Sequence, residues 1–296
     1  MALTTAALLV ALTGCFGESV HYAKVTDGDR SKTDGTSASS RGGGRGGAGE
    51  LLFPMPDEQE AVVAIQDAGL PADVVGYGGM RFVETTAAGA AKLSGRAGLE
   101  SINISLKDVS NDELAHLAQL PAVNGLLIWS PKVTDVGLAH LAGLSGLKYL
   151  WLEQTEVTAA GLEHLASLTN LRSLNIRFKT LTGGLGHLAG MSQLTALNIP
   201  GSKITDDDLA QLTGLSSLES LNIGGSPITD AGLQHIAALK NLKTLHLRQT
   251  GITDAGLAQL APLEHLQELN LLLCAGVTDA GVKALQAALP DCTIRK

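Results

Sequence analysis

A hexapeptide returns along this chain at a spacing close to 24 residues. Val133-Thr134-Asp135-Val136-Gly137-Leu138 recurs as Ile228-Thr229-Asp230-Ala231-Gly232-Leu233, as Ile252-Thr253-Asp254-Ala255-Gly256-Leu257 and as Val277-Thr278-Asp279-Ala280-Gly281-Val282. Self-similarity at that period marks a solenoid, in which no unit has a core of its own and each buries its apolar face against its neighbours. A residue that recurs with the period therefore answers first to architecture. Residues that break the period are the candidates for binding or chemistry.

The unit from Leu218 to Asn241 shows the internal order. Leu218, Leu221 and Ile223 form the pattern L-x-x-L-x-L, and the alternation over Leu221-Asn222-Ile223 predicts a short strand with Asn222 on its opposite face. A loop, Gly224-Gly225-Ser226-Pro227, precedes Ile228, which turns inward. Thr229 then stands at a helix N-cap, and Asp230 suits the positive end of that helix. Ser110 with Glu113, and Thr205 with Asp208, have the spacing of a capping box. Leu233, Ile236 and Leu239 supply the inward stripe of a short helix. Aromatics are only 3% of the chain, so leucine and alanine must do most of the packing.

Strand, loop and helix in one such unit resemble the leucine-rich repeat. The family's Asn/Cys/Thr position is filled by Thr155, Ser202, Ser226, Thr250 and Cys274, and the V-T-D-A-G-L helix start is similar to the cysteine-containing, ribonuclease-inhibitor-like subtype and to bacterial repeats. The resemblance covers about residues 75–294. It implies an α/β right-handed horseshoe with a parallel sheet on the concave face and short helices on the convex face. Units begin at Leu99, Val123, Leu147, Leu171, Leu194, Leu218, Leu242 and Leu266. A decayed earlier unit is visible at Thr86–Leu93, and the fourth unit is a residue short at Thr182-Gly183-Gly184-Leu185. Residues 75–296 are thus read as the solenoid, about nine repeats and a terminal strand. Residues 51–74 are read as an N-terminal cap, with a helix over Asp57–Ala68 that turns Ala61, Ile65 and Ala68 inward.

The first fifty residues follow other rules. Residues 1–14 hold an apolar run too short to span a bilayer but suited to a secretory signal. Leu12-Thr13-Gly14-Cys15 resembles the lipobox of bacterial lipoproteins, which implies cleavage before Cys15, acylation of Cys15 and attachment to a membrane of the cell envelope, facing the periplasm or the cell surface. Residues 15–50, rich in glycine and serine and without periodicity, read as a lipidated flexible tether.

Several tempting residues have architectural explanations. His116, His140, His164, His187 and His235 share one position of the unit, and Gln211 and Gln259 hold it elsewhere, which suits a polar ladder better than a metal site. Asp206-Asp207-Asp208 is a set of acids in a first helical turn. Cys274 and Cys292 could pair in an oxidising envelope, but the resemblance implies a buried, reduced thiol at Cys274. No Ser/His/Asp or Cys/His set breaks the period, so neither an enzyme, a metal nor a cofactor is expected. A net charge of -8 offers no basic face for nucleic acid.

The concave face is where variation has meaning. Its positions hold mostly small residues, among them Ser173, Asn175, Ala196, Asn198, Ser220 and Asn222. Leu127, Trp129, Tyr149, Trp151 and Glu153 break that rule in two adjacent units, and Arg177 follows in the next, level with Glu153. Large outward aromatics beside an arginine are the composition of a binding hot spot. The reading is a monomeric, envelope-anchored scaffold that binds a protein partner through these six residues. The alternative is a carbohydrate or envelope polymer stacked on Trp129, Tyr149 and Trp151.

Overall fold

The computed structural model describes residues 56–77, 80–94, 102–118, 120, 123–177 and 181–296. Cys15 and the expected signal and tether lie outside the described residues. Among the described residues eleven strands form one sheet in chain order: β1 (Ala72–Tyr77), β2 (Met80–Thr85), β3 (Ile102–Lys107), β4 (Val123–Trp129), β5 (Tyr149–Glu153), β6 (Ser173–Ile176), β7 (Ala196–Asn198), β8 (Ser220–Asn222), β9 (Thr244–His246), β10 (Glu268–Asn270) and β11 (Thr293–Arg295). β1 pairs antiparallel with β2, and every later pairing is parallel.

Short helices alternate with the strands: α1 (Pro56–Asp67), α2 (Ala87–Ala91), α3 (Asn111–Leu114), α4 (Asp135–Ala139), α5 (Asp206–Ala210), α6 (Asp230–Ile236), α7 (Asp254–Leu257) and α8 (Asp279–Ala288). In the third and fourth units the helix tightens to 3-10 turns, Ala160–Leu165 and Leu185–Leu188. Strands sit about 4.8 Å apart, whereas packed helices need about 8–10 Å, so stacking such units bends the sheet side inward. The outer sheet face is therefore the concave one.

Leu221, Ile223, Ile228, Leu233, Ile236 and Leu239 are all buried in one continuous core, as the pattern of the unit requires. In α1, Ala61 and Ile65 are buried as expected, but Ala68 is exposed, because the helix ends at Asp67 and Ala64 takes the inward place. An ion pair from Arg81 to Glu58 ties β2 to α1. Cys274 and Cys292 are buried free thiols, and the Cys274 thiol donates to Leu247 O at 3.0 Å.

The recurrent Thr-Asp pair has a role that reaches beyond its own helix. Thr253 gives its backbone N–H (2.7 Å) and its hydroxyl (2.6 Å) to the two carboxylate oxygens of Asp230 in the preceding repeat. Thr158 does the same to Asp135, Thr229 to Asp206 and Thr278 to Asp254. Asn111 serves in place of an aspartate for Thr134. The glycine of the motif follows from this. A Cβ on Gly137, Gly161, Gly232, Gly256 or Gly281 would collide with the side-chain oxygen of the preceding repeat's Asn or Asp.

Where that acid is missing, the N-cap amide finds another acceptor. In the repeat before Ser110 the acid's position is held by Ala87, and the Ser110 N–H turns to its own Glu113 at 2.8 Å. Gly183 stands before Thr205, and the Thr205 N–H turns to Asp208 at 2.7 Å. Both capping boxes predicted from spacing thus form, and each substitutes for an absent staple. The short fourth unit turns on Gly183 and Gly184, both left-handed at φ 76° and 81°.

Candidate binding face

Parallel pairing lays the outward side chains of the strands in rows. The central row runs Ser105, Leu127, Trp151, Asn175, Asn198, Asn222, His246, Asn270, Arg295. Beside it run Tyr149, Ser173, Ala196 and Ser220 on one side, and Trp129 and Glu153 on the other.

Burial divides the expected site. Leu127 (4% exposed), Trp151 (7%) and Glu153 (3%) are buried, which corrects the expectation that all six residues present themselves to a ligand. The cause lies in the N-terminal cap. Phe82 points to the same face, and its ring centroid lies 5.4 Å from that of Trp151 at an interplanar angle of 47°. Phe82, Leu127 and Trp151 form a second small core, with Val75 and Met80 packed against it. Trp151 therefore has no free ring face to serve as a stacking platform for a sugar. Trp129 and Tyr149 remain half-buried, and Arg177 is exposed. The Arg177 N–H donates to Leu152 O at 3.2 Å, which sets the residue level with Glu153.

From β6 onward the face is open and of low relief. Asn222 Oδ1 accepts from Gly224 N and Asn270 Oδ1 from Leu272 N, both at 3.1 Å. The equivalent oxygens of Asn175 and Asn198 are buried and have no donor. Pro200 explains Asn198, since residue 200 has no N–H to give. At Asn175, the candidate N–H belongs to Arg177 and is already committed to Leu152.

At the C-terminal end, His246 is buried between Asn222 and Asn270. Burial lowers its pKa, Glu268 at 3.8 Å opposes that shift, and Arg295 adds to it. The ladder of helical histidines is half-buried or exposed. Among the described residues no three His, Cys, Asp or Glu side chains gather as a metal site, and no helix is long and apolar enough to cross a membrane. Asp206 and Asp208 are occupied by Thr229 and Thr205.

The rows, the register and the stacked units are those of an α/β leucine-rich-repeat solenoid. The family model described as Leucine Rich repeat matches residues 214–237, 238–261 and 263–285. No curated protein matches the chain in sequence. Among solved structures it is similar to internalin C2 from Listeria monocytogenes, with a TM-score of 0.50, 21% identity, 83% of this chain covered and 95% of that chain. That likeness is one of fold.

Phe82 is the residue that reading the sequence missed. It stands outside the recognisable repeats, so its partnership with Trp151 left no periodic signal. The orphaned Asn198 oxygen did have one, the proline two positions later.

Proposed function

We propose that this chain is a non-enzymatic scaffold that binds a protein partner on the open part of its concave face. The observation that carries the reading is the position of Trp129 and Tyr149. They stand half-exposed where the sealed N-terminal patch gives way to the low-relief face, with exposed Arg177 one strand further on. Aromatic edges with an arginine at the margin of a flat, small-residue surface are what a protein interface uses as anchors. The fold supports the reading, because repeat stacking produces the extended concave surface that such proteins use for binding.

A photo-cross-linking residue at Tyr149 tests this, with one at Gln211 on the helical side as control. Protein adducts at 149 and not at 211 are expected. Adducts at 211 alone would move the binding face.

We propose further that Cys15 carries lipid and anchors the scaffold in the cell envelope, with residues 16–50 as its tether. Two or more acyl chains hold stably where a single one does not. Cys15→Ala should release the protein from the membrane fraction or leave an uncleaved precursor. A mature-sized mutant that stays in washed membranes as the wild type does would exclude this anchor.

A further inference from the structure

We propose that the occupant of the concave face is an extended acidic segment of the protein partner, with two of its carboxylates bound by Arg177 and Arg248. This rests on the concave face being the docking face, and it assigns the partner's chemistry.

Charge is the first argument. On this face Glu84 is paired with Lys107 at 2.6 Å, Glu268 lies 3.5 Å from Arg295, and Glu153 is buried. Arg177 and Arg248 remain, and among the described residues neither side chain has an ion pair or hydrogen bond. A chain with net charge -8 thus presents two unneutralised guanidinium groups on this face. Between them the same row holds Pro200 and Gly224, which carry neither charge nor bulk. A Cβ on Gly224 would lie 3.4 Å from Arg248 Cβ, so the absence of a side chain there leaves Arg248 open toward Arg177.

The second argument is independent of charge. Asn175 and Asn198 are adjacent in register and half-exposed, and their Oδ1 atoms are buried without donors. Each amide therefore turns its Nδ2 group toward the open side. Two amide donors beside two guanidinium groups make a surface of donors, which calls for a ligand rich in acceptors. Main-chain carbonyls and carboxylates of an extended peptide supply both.

The spacing defines the segment. Arg177 and Arg248 are three strands apart, about 14 Å at a strand separation of about 4.8 Å. An extended peptide laid across the strands covers that distance in about four residues at about 3.4 Å each. The motif is therefore two acidic residues about four positions apart, with small residues between them over Pro200 and Gly224.

The test is selection of short random displayed peptides on the full chain, followed by affinity measurement of the selected peptides. Enrichment of acidic pairs at that spacing is expected. So is a loss of at least about tenfold in affinity in the Arg177→Ala, Arg248→Ala double variant, with Lys240→Ala on the helical side as the unchanged control. Binding should also weaken as salt rises, since both arginines are accessible to ions. Selected peptides that lack acidic residues, or that bind the double variant as tightly as wild type, overturn the acidic assignment. If such peptides still lose affinity on Trp129→Ala or Tyr149→Ala, the docking face stands and only its chemistry changes. Peptides indifferent to all four substitutions overturn both. Equal melting temperatures of the variants separate lost binding from lost folding.

Discussion

Asp230 and Thr253 are joined across a repeat boundary by two hydrogen bonds, N–H to Oδ1 at 2.7 Å and hydroxyl to Oδ2 at 2.6 Å. The same Oδ1 occupies the place a Cβ on Gly256 would need. Three residues of the motif are thus one device. The aspartate of one repeat takes the N-cap threonine of the next, and the glycine makes room for it.

This makes Gly256→Ala and Asp230→Ala interdependent. Gly256→Ala alone should destabilise by about 1–3 kcal/mol through overpacking. Once Asp230 is alanine, most of the collision is gone, so the double variant should be less damaging than the sum by at least about 0.5 kcal/mol. Urea unfolding of the four proteins measures the coupling. Strict additivity would show that carboxylate and glycine act separately.

Trp151 belongs to a core. Its contacts with Phe82 and Leu127 predict that Trp151→Ala costs about 3–5 kcal/mol, as for other buried aromatics. Phe82→Ala should be similarly costly, although Phe82 lies three strands away, and the two losses should not add. A Trp151→Ala protein that melts like wild type would show the patch to be a surface after all.

Acid should weaken the staples. The Thr278 hydroxyl, and then its backbone N–H, hold the Asp254 carboxyl below its ordinary range, and the Ser110 N–H and hydroxyl do the same for Glu113. A carboxyl with a lower pKa folded than unfolded adds stability that is fully present above its unfolded value, near about 4, and is lost as pH falls through the folded value. Melting temperature should therefore fall more steeply below about pH 4, and Thr278→Val should flatten part of that limb. Identical acid limbs for variant and wild type would remove Asp254 from the account.

His246 acts in a different window. Burial keeps it neutral in the folded chain, so its contribution is complete above an unfolded value of about 6.5 and declines as pH drops below it. His246→Asn, the residue found at the matching positions 222 and 270, should reduce the loss of stability between about pH 7 and pH 5. An unchanged slope over that range would mean that protonation is accommodated by Glu268.

Leu273 tests the left-handed loop position. Its φ is 64°, and matching residues Gly201 and Gly225 have φ of 70° and 79°. Leu273 is 65% exposed and has little packing to lose. Leu273→Gly exchanges strain of about 1–2 kcal/mol for a backbone entropy cost of about 0.5–1 kcal/mol, so it should be neutral or stabilising by up to about 1 kcal/mol. A clear loss of stability would point to a contact made by that leucine.

The repeat was legible because each inward position sees the same neighbours in every unit. Leu221, Ile223, Ile228 and Leu233 answer to one local environment copied along the chain, so one unit read correctly predicts the rest. The capping boxes at Ser110 and Thr205 were legible for a similar reason, since both partners lie within one helical turn. By itself the sequence determined strand, loop, helix and the stacked α/β array. Tertiary structure decided everything that depends on what lies across a boundary. Asp230 looked like a helix-dipole residue until its carboxylate met Thr253 in the next repeat. Trp151 looked like an exposed anchor until Phe82, from a cap with no repeat pattern, covered it. Periodicity predicts contacts between copies of the same position. It is silent where a unique element packs on the array, because the energy there comes from the shape of that one junction.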